Sequence, residues 1–311
     1  MPQAPLARHA YKEIKLGQLR SFCETARLGS LTAAAGALGL SQPTVWEQVH
    51  GLERLLDAKL VEREAHGCRL TEVGLLVLEL AAPLVNGVDT LATAVAQARE
   101  QSEIWLTIAA TQRILTEDLP VSVVEFERLY PHVRLRLLEM STDQVGPAVE
   151  SRRADLGLTL GQTGLPASPW LVSEPCYELD LLLVTPPRHP LAKKKRLALA
   201  DLAGYPLVNS PESLPDPAIR GALDKLGVFR TQPRRVEAFY TSVIRRYVEM
   251  GFGIGLVLGR DDLSPHSKRL TERSMRKQFG PVAIHQVRRK GEPREGPAGD
   301  FARLIRGRLG G

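Results

Sequence analysis

Cysteine is scarce in this chain: three residues in 311, Cys23, Cys68 and Cys176, far apart and odd in number. That count argues against a disulfide framework, and the spacing fits no metal-ligand pattern, so a reduced cytoplasmic protein with no metal and no cofactor is expected. Long apolar runs are missing too. No stretch of about eighteen apolar residues occurs, which gives no membrane span. The first sixteen residues carry Arg8, Lys12, Glu13 and Lys15 where a secretory signal would have an apolar core. The common catalytic motifs are equally absent: no Gly-x-Ser-x-Gly elbow, no phosphate-cradling glycine loop, no His/Cys metal cluster and no Ser/His/Asp-type triad. Gly251-Phe252-Gly253-Ile254-Gly255 lacks the dinucleotide-loop spacing and leads into a strand rather than opening a helix. The expectation is therefore a binding protein rather than an enzyme.

What is present is an ordinary globular composition, 43% apolar and 24% charged, in a chain long enough for two or three domains. The net charge of +6 invites a nucleic-acid reading, but its placement does not support one. Residues 1–100 hold ten Lys/Arg against eleven Asp/Glu, a net of −1, leaving +7 for the remainder. The pattern of residues has to carry the case. Leu16, Leu19, Phe22, Cys23 and Ala26 lie on one face of a first helix. Ser30 caps a short alanine-rich helix, Leu31 to Leu38; Gly39-Leu40-Ser41 makes a tight turn; a third helix runs from Gln42 to about Leu55, with Pro43 near its first position. Helix, short helix, turn, helix is the plan of a helix-turn-helix. Leu60–Arg63 and Cys68–Leu70 then read as the two strands of a wing.

Thr71-Glu72 caps a long helix to about Arg99, in which Val73, Val77, Leu80, Leu84, Val88, Leu91, Val95 and Ala98 form a seam suited to a partner helix, and Pro83 predicts a kink. Beyond it, strands at 105–110, 133–138, 156–160, 181–185 and 207–208 alternate with helices at 119–129, 144–152, 217–226 and 242–250, followed by a buried strand after Gly255. Alternation of this kind predicts a parallel, doubly wound α/β architecture.

Gln18-Leu19-Arg20-Ser21-Phe22, Gly29-Ser30-Leu31-Thr32-Ala33-Ala34-Ala35, Leu40-Ser41-Gln42-Pro43, Leu52-Glu53-Arg54-Leu55-Leu56, Leu60-Val61-Glu62-Arg63 and Arg69-Leu70-Thr71-Glu72-Val73-Gly74 resemble the LysR-type transcriptional regulators. Phe126–Val133, Arg153–Leu158, His189–Ala192 and Met250–Gly255 continue the likeness in the same order. The resemblance implies an α+β multidomain protein: a winged helix-turn-helix (15–72), a linker helix for dimerisation (73–100), and an effector domain of two α/β lobes like a periplasmic binding protein. Lobe I would comprise 104–178 and 281–311, and lobe II 179–280. It further implies a dimer or tetramer that binds promoter DNA, responds to a small-molecule effector and works with RNA polymerase.

On that plan the third helix enters the major groove, where base edges display distinct donors and acceptors. Ser41, Gln42, Pro43 and Thr44 stand at its leading end. Arg63, His66 and Arg69 belong to the wing, and Ser30 and Thr32 can donate to phosphate. Helix capping is the competing role for Ser30 and Ser41, and a salt bridge to Glu62 or Glu64 the competing role for the arginines. Two positions depart from the family, which often carries a small hydroxyl residue and then a basic one where this chain has Trp46 and Glu47; Trp46 is either a DNA contact or core. These two positions keep open a binding protein that does not act on DNA. A redox-sensing regulator is a further alternative, but it would want two cysteines in the effector domain, where only Cys176 lies.

For the effector, Thr111, Gln112, Asn209, Ser210, Thr241 and Ser242 sit at strand ends before helices, where backbone and hydroxyl donors converge. Thr111-Gln112 and Val243–Val248 resemble the cysteine-biosynthesis regulators, which implies sulfate or an acetylserine-type anion; Ala109 and Leu160 depart from that branch. Lys193-Lys194-Lys195-Arg196 reads as a solvated charge run.

Overall fold

The computed structural model describes residues 14–64, 67–98, 104–161, 168–214, 217–229, 236–260, 269–292 and 294–310. Two compact units emerge. The first comprises residues 1–102 with two returning segments, 167–172 and 288–294; the second comprises the rest.

In the first unit, α1 (Leu16–Leu28), α2 (Leu31–Leu38) and α3 (Gln42–Leu56) pack around Phe22, Ala34, Ala35, Val45, Val49 and Leu52. The alanines of α2 let the helices approach closely. Gly39, at φ +65°, takes the left-handed conformation that ends α2, and Leu40 N then donates to Ala35 O. The wing is an antiparallel pair, β1 (Val61–Glu64) and β2 (Gly67–Leu70), with Glu62 opposite Arg69.

The linker helix α4 (Glu72–Ala98) runs on through Pro83. One face joins the core through Leu78, Ala81, Ala82 and Val85. The opposite face leaves Val73, Leu76, Leu80 (66% exposed), Leu84 (60%), Leu91 (59%) and Val95 open to solvent, most of the seam read from the sequence. The returning segments strap the helix. Trp170 joins the core beside α4, Asn86 Nδ2 donates to Lys290 O at 2.8 Å, and a Cβ built on Gly291 would lie 2.2 Å from Pro83 O. Arg20 of α1 pairs with Asp89 of α4 on the same unit.

The second unit is built on β3 (Ile104–Ala110), β4 (Val133–Glu139), β5 (Leu156–Leu160), β6 (Leu171–Thr185), β7 (Gly255–Gly259), β8 (Thr271–Ser274) and β9 (Val282–Arg289), in the order β4-β3-β5-β9-β6-β7 with β8 also on β6. The helices that cover these strands are α5 (Pro120–Leu129), α6 (Thr142–Glu150), the single turn α7 (Pro190–Lys193), α8 (Pro217–Lys225), α9 (Thr241–Glu249), the single turn α10 (Arg276–Phe279) and α11 (Pro297–Leu309). A π-helical turn, Ile114–Asp118, precedes α5.

The sheet is not uniformly parallel, as the alternation suggested. β3 is parallel to β4 and β5, but β9 runs antiparallel to β5, and β7 and β8 antiparallel to β6. Parallel pairing needs a crossover connection, and only β3, β4 and β5 follow one another through single crossover helices, α5 and α6. The strand read at 181–185 is the end of a 15-residue strand whose polar start, Ser173-Glu174-Pro175, hid it. Leu207–Val208 forms no strand; Leu207 and Asn209 make isolated bridges to Ile254 and Ala238. One cluster gathers Ile108, Leu119, Phe126, Leu158, Phe301 and Ile305, with Phe126 edge-on to Phe301 at 5.1 Å. Further clusters lie on the two faces of β6 and β7.

The tightest joint in the first unit is where α4 leaves the wing. Thr71 N donates to Leu60 O (3.0 Å), Thr71 Oγ1 donates to Lys59 O (2.7 Å) and accepts from Gly74 N (2.9 Å), and a Cβ on Gly74 would lie 2.1 Å from Leu60 O. Gly74→Ala gains helix propensity but drives a methyl into backbone that cannot swing away. It is expected to destabilise the unit by about 1–3 kcal/mol, read as a lower melting temperature by circular dichroism.

Candidate nucleic-acid interface and ligand cavity

The leading end of α3 is capped by Ser41, whose Oγ accepts from Thr44 N at 3.2 Å and lies 2.8 Å from Thr44 Oγ1. Ser30 caps α2 the same way, accepting from Ala33 N at 3.3 Å. Gln42, Pro43, Trp46 and Glu47 form one exposed face of α3, and Thr32 is exposed on α2. Trp46, 40% exposed, is not core: its ring meets that of His50 edge-on at 4.0 Å. In the wing Arg63 is exposed, whereas Arg69 is held by Glu62 (2.8 Å) and Glu64 (3.2 Å). His66 lies outside the described residues.

Beneath this face sits Glu53, a charged residue only 4% exposed. Its carboxylate accepts from Leu60 N (2.9 Å), Val61 N (3.2 Å) and Lys59 Nζ (3.0 Å), and lies 2.7 Å from His50 Nδ1. Burial pushes the carboxyl pKa up, but the hydrogen bonds from Leu60, Lys59, Val61 and His50 outweigh it and hold the group below the ordinary carboxylate value. The recognition helix and the first wing strand thus share one anchor.

In the second unit a cavity of about 830 Å³ opens where strand ends and helix starts converge. Its polar wall is Thr111, Gln112 and Arg113 after β3, Ser141 to Gln144 at the start of α6, and Thr241 at the start of α9. Its apolar wall includes Ile114, Leu160, Leu181, Leu256, Leu258 and Ile284, with Phe239 and Tyr240 at the side.

Three of the six residues expected at the ligand, Thr111, Gln112 and Thr241, line this space. Asn209, Ser210 and Ser242 do not. Asn209 is fully buried and consumed by the fold: it donates to Leu256 O (2.6 Å) and Ser213 Oγ (2.8 Å) and accepts from Leu256 N (2.7 Å), standing in for a strand neighbour. Ser210 bonds through its backbone N–H to Ala238 O at 2.8 Å, and Ser242 is exposed on the outside of α9.

Sequence reading missed the network behind the polar wall. Buried Arg113 pairs with Asp118, which accepts from Tyr177 OH at 2.6 Å. Glu117 pairs with Arg245 of α9, whose Nε also reaches Glu272 at 2.8 Å. Burial raises the pKa of both Glu117 and Asp118 despite these arginines. The stretch Ser141–Gln144 was also missed, although Ser141-x-x-Gln144 carries the capping-box signature. Lys193–Arg196 is exposed, with Lys194 paired to Asp201. Of the thiols, Cys23 is buried and pushed up to about 12, first by desolvation and then by Glu24; Cys176 is buried and pushed up to about 11. Cys68 is half-buried and also raised.

A winged helix-turn-helix joined by a long helix to an α/β ligand-binding unit defines a class of DNA-binding transcription regulators. Residues 16–75 match the bacterial regulatory helix-turn-helix protein, lysR family, and residues 99–310 match the LysR substrate binding domain. The chain belongs to the LysR family. It is 33% identical over 248 residues to the HTH-type transcriptional regulator CysB of Burkholderia cenocepacia, covering 78% of each chain. It is 30% identical to the regulator SsuR of the same organism, covering 77% of this chain and 78% of that one. Among solved structures, the cofactor-binding domain of the Cbl transcriptional regulator superposes with a TM-score of 0.57 at 25% identity, covering 67% of this chain and 90% of that one. CbnR, a LysR family regulator solved in complex with its target DNA, gives 0.51 at 20% identity, covering 95% and 99%. The chain is a transcription regulator rather than an enzyme, and no helix among its described residues is long and apolar enough to cross a membrane.

The Glu53 anchor has a pH signature. Because its pKa is depressed on folding, its stabilisation is fully present above the unfolded carboxyl value, about 4.3, and is lost as pH falls through the lower folded value. Glu53→Gln is expected to cost about 1.5–3 kcal/mol at pH 7, since charge-assisted hydrogen bonds become neutral ones. Melting curves from pH 7 to 3 should show the gap between wild type and variant closing as the wild-type carboxylate protonates.

Proposed function

We propose that this protein binds promoter DNA through the exposed face of α3 and the wing, pairs with a second copy along α4, and changes its activity when a small organic metabolite fills the cavity at Thr111, Gln112 and Thr241. The observation that carries the reading is the convergence of the β3 end and the α6 and α9 starts on one partly apolar space. The lobe limits that suit it are 104–178 with 281–311, and 179–280.

The space is far larger than an inorganic ion needs. Its lining carries Glu139, Asp143 and Glu212, while the one arginine among its described lining residues, Arg113, is already committed to Asp118. A bare sulfate fits such a wall poorly. An organic acid fits better, with its charged end on the hydroxyl and amide donors and its body against Leu160, Leu181 and Leu258. The protein would act in the cytoplasm, where DNA and RNA polymerase are its partners and its three thiols stay reduced.

Two experiments test this. Thr111→Val deletes one hydroxyl and keeps the side-chain shape. It should bind DNA normally but lose about 1.5–3 kcal/mol, ten- to a hundredfold, in affinity for whichever member of a panel of sulfate, acetylserine and larger organic acids stabilises the wild type in calorimetry. Unchanged affinity would place the ligand elsewhere. Leu80→Asp with Leu84→Asp puts charge on the open stripe of α4 and should shift the sedimenting species toward monomer. A wild type that sediments as a monomer at micromolar concentration would refute the pairing.

A further inference from the structure

The DNA-facing side of α3 carries an uncompensated negative charge. Glu47 is exposed and makes no ion pair or side-chain hydrogen bond among the described residues. It stands one turn beyond Pro43, at helical spacing i, i+4, as Trp46 stands one turn beyond Gln42, and all four are exposed, so a helix seated in the major groove by its leading end brings Glu47 toward the duplex beside Pro43. Its neighbour Trp46 is fixed rather than loose. The indole packs edge-on against His50, and His50 is pinned by buried Glu53, which also holds the start of the wing.

A carboxylate in that position is repelled by every phosphate, so the backbone offers it nothing. It needs a donor, and in the major groove only the base edges supply one: the amino groups at cytosine N4 and adenine N6. The two are not equivalent. Beside adenine N6 lies N7, an acceptor whose lone pair opposes the second carboxylate oxygen. Beside cytosine N4 lies C5–H, with no lone pair. We infer that Glu47 is a specificity-determining residue that reads a cytosine in the major groove. The apolar face of Trp46 lies beside it and excludes water from the contact. The inference rests on the reading of α3 as the DNA-contacting helix. It also turns the apparent defect of this face, its missing positive charge, into a selective one: the carboxylate penalises every base pair that does not present the cytosine amino group toward it.

The test uses the full-length protein. Duplexes are selected from a random pool by the wild type, Glu47→Gln and Glu47→Ala, and affinities are measured by fluorescence anisotropy on duplexes differing at single base pairs. The wild-type motif should contain a cytosine whose replacement weakens binding about ten- to a hundredfold. Glu47→Gln should move the preference at that same base pair to adenine, because a carboxamide can accept from N6 and donate to N7 together. Glu47→Ala should accept any base there and should bind unrelated DNA more tightly, the repulsion being gone. Glu47 is exposed, so both variants should melt as the wild type does. Variants that select the wild-type motif unchanged would overturn the assignment to Glu47 alone. A wild type that enriches no motif would overturn the DNA-contact reading of α3 and this inference with it.

Discussion

Burying a carboxylate costs several kcal/mol unless its lone pairs are answered by donors. The first unit is organised around meeting that demand at Glu53. Lys59, Leu60 and Val61 supply three donors and His50 a fourth contact. The geometry that results reaches in both directions. Toward DNA, it orients His50 and through it Trp46. Away from DNA, it fixes Leu60, whose carbonyl takes Thr71 N and leaves no space for a side chain at Gly74. Recognition helix, wing and linker helix therefore meet at one residue pair, Glu53 and Leu60, and a disturbance at either is felt by all three elements.

The elements that declare themselves by local periodicity were legible in the sequence. The ends of α2 at Leu31 and Leu38 and of β5 at Leu156 and Leu160 coincide with the readings, because capping residues and turns mark them within a few positions. What escaped is what long-range contact decides. Glu53 enters the sequence reading only as a member of the Leu52–Leu56 motif, and only the approach of the Leu60 and Val61 amides makes its burial tolerable. Asn209 reads as a ligand donor at a strand end, and only the arrival of Leu256, 47 residues later, shows its amide to be spent on the fold. Likewise the Arg113–Asp118–Tyr177 and Glu117–Arg245–Glu272 groups join residues up to 128 positions apart, beyond the reach of any window. The exposed face of α3 was easier to read than the cavity lining because Gln42, Pro43, Trp46 and Glu47 lie within one short stretch of a single helix.

The two functional regions use polar groups in opposite ways. On α3 and the wing the charges nearly cancel: Arg69 is answered by two glutamates, and the segment as a whole nets −1. Counterion release scales with the number of cations placed on phosphates, so a surface of this kind leans on base contacts rather than on general attraction. In the cavity Arg113 is paired with Asp118 behind the wall, and the lining mixes hydroxyls, amides and hydrocarbon with the carboxylates of Glu139, Asp143 and Glu212. The first region selects by geometry against a charged polymer. The second exposes hydroxyl and amide donors that water can satisfy at little cost.

The state of the thiols has a bearing on what this regulator can sense. Oxidants attack the thiolate, and Cys23 and Cys176 are both buried with their ionisation pushed far above neutral pH. At cellular pH almost none of either is in the reactive form, and Cys68 is displaced in the same direction. The same burial that makes these sulfurs good packing atoms withholds them from peroxide and disulfide exchange. For Cys23 and Cys176, good packing and low reactivity toward oxidants are thus one property of the same burial.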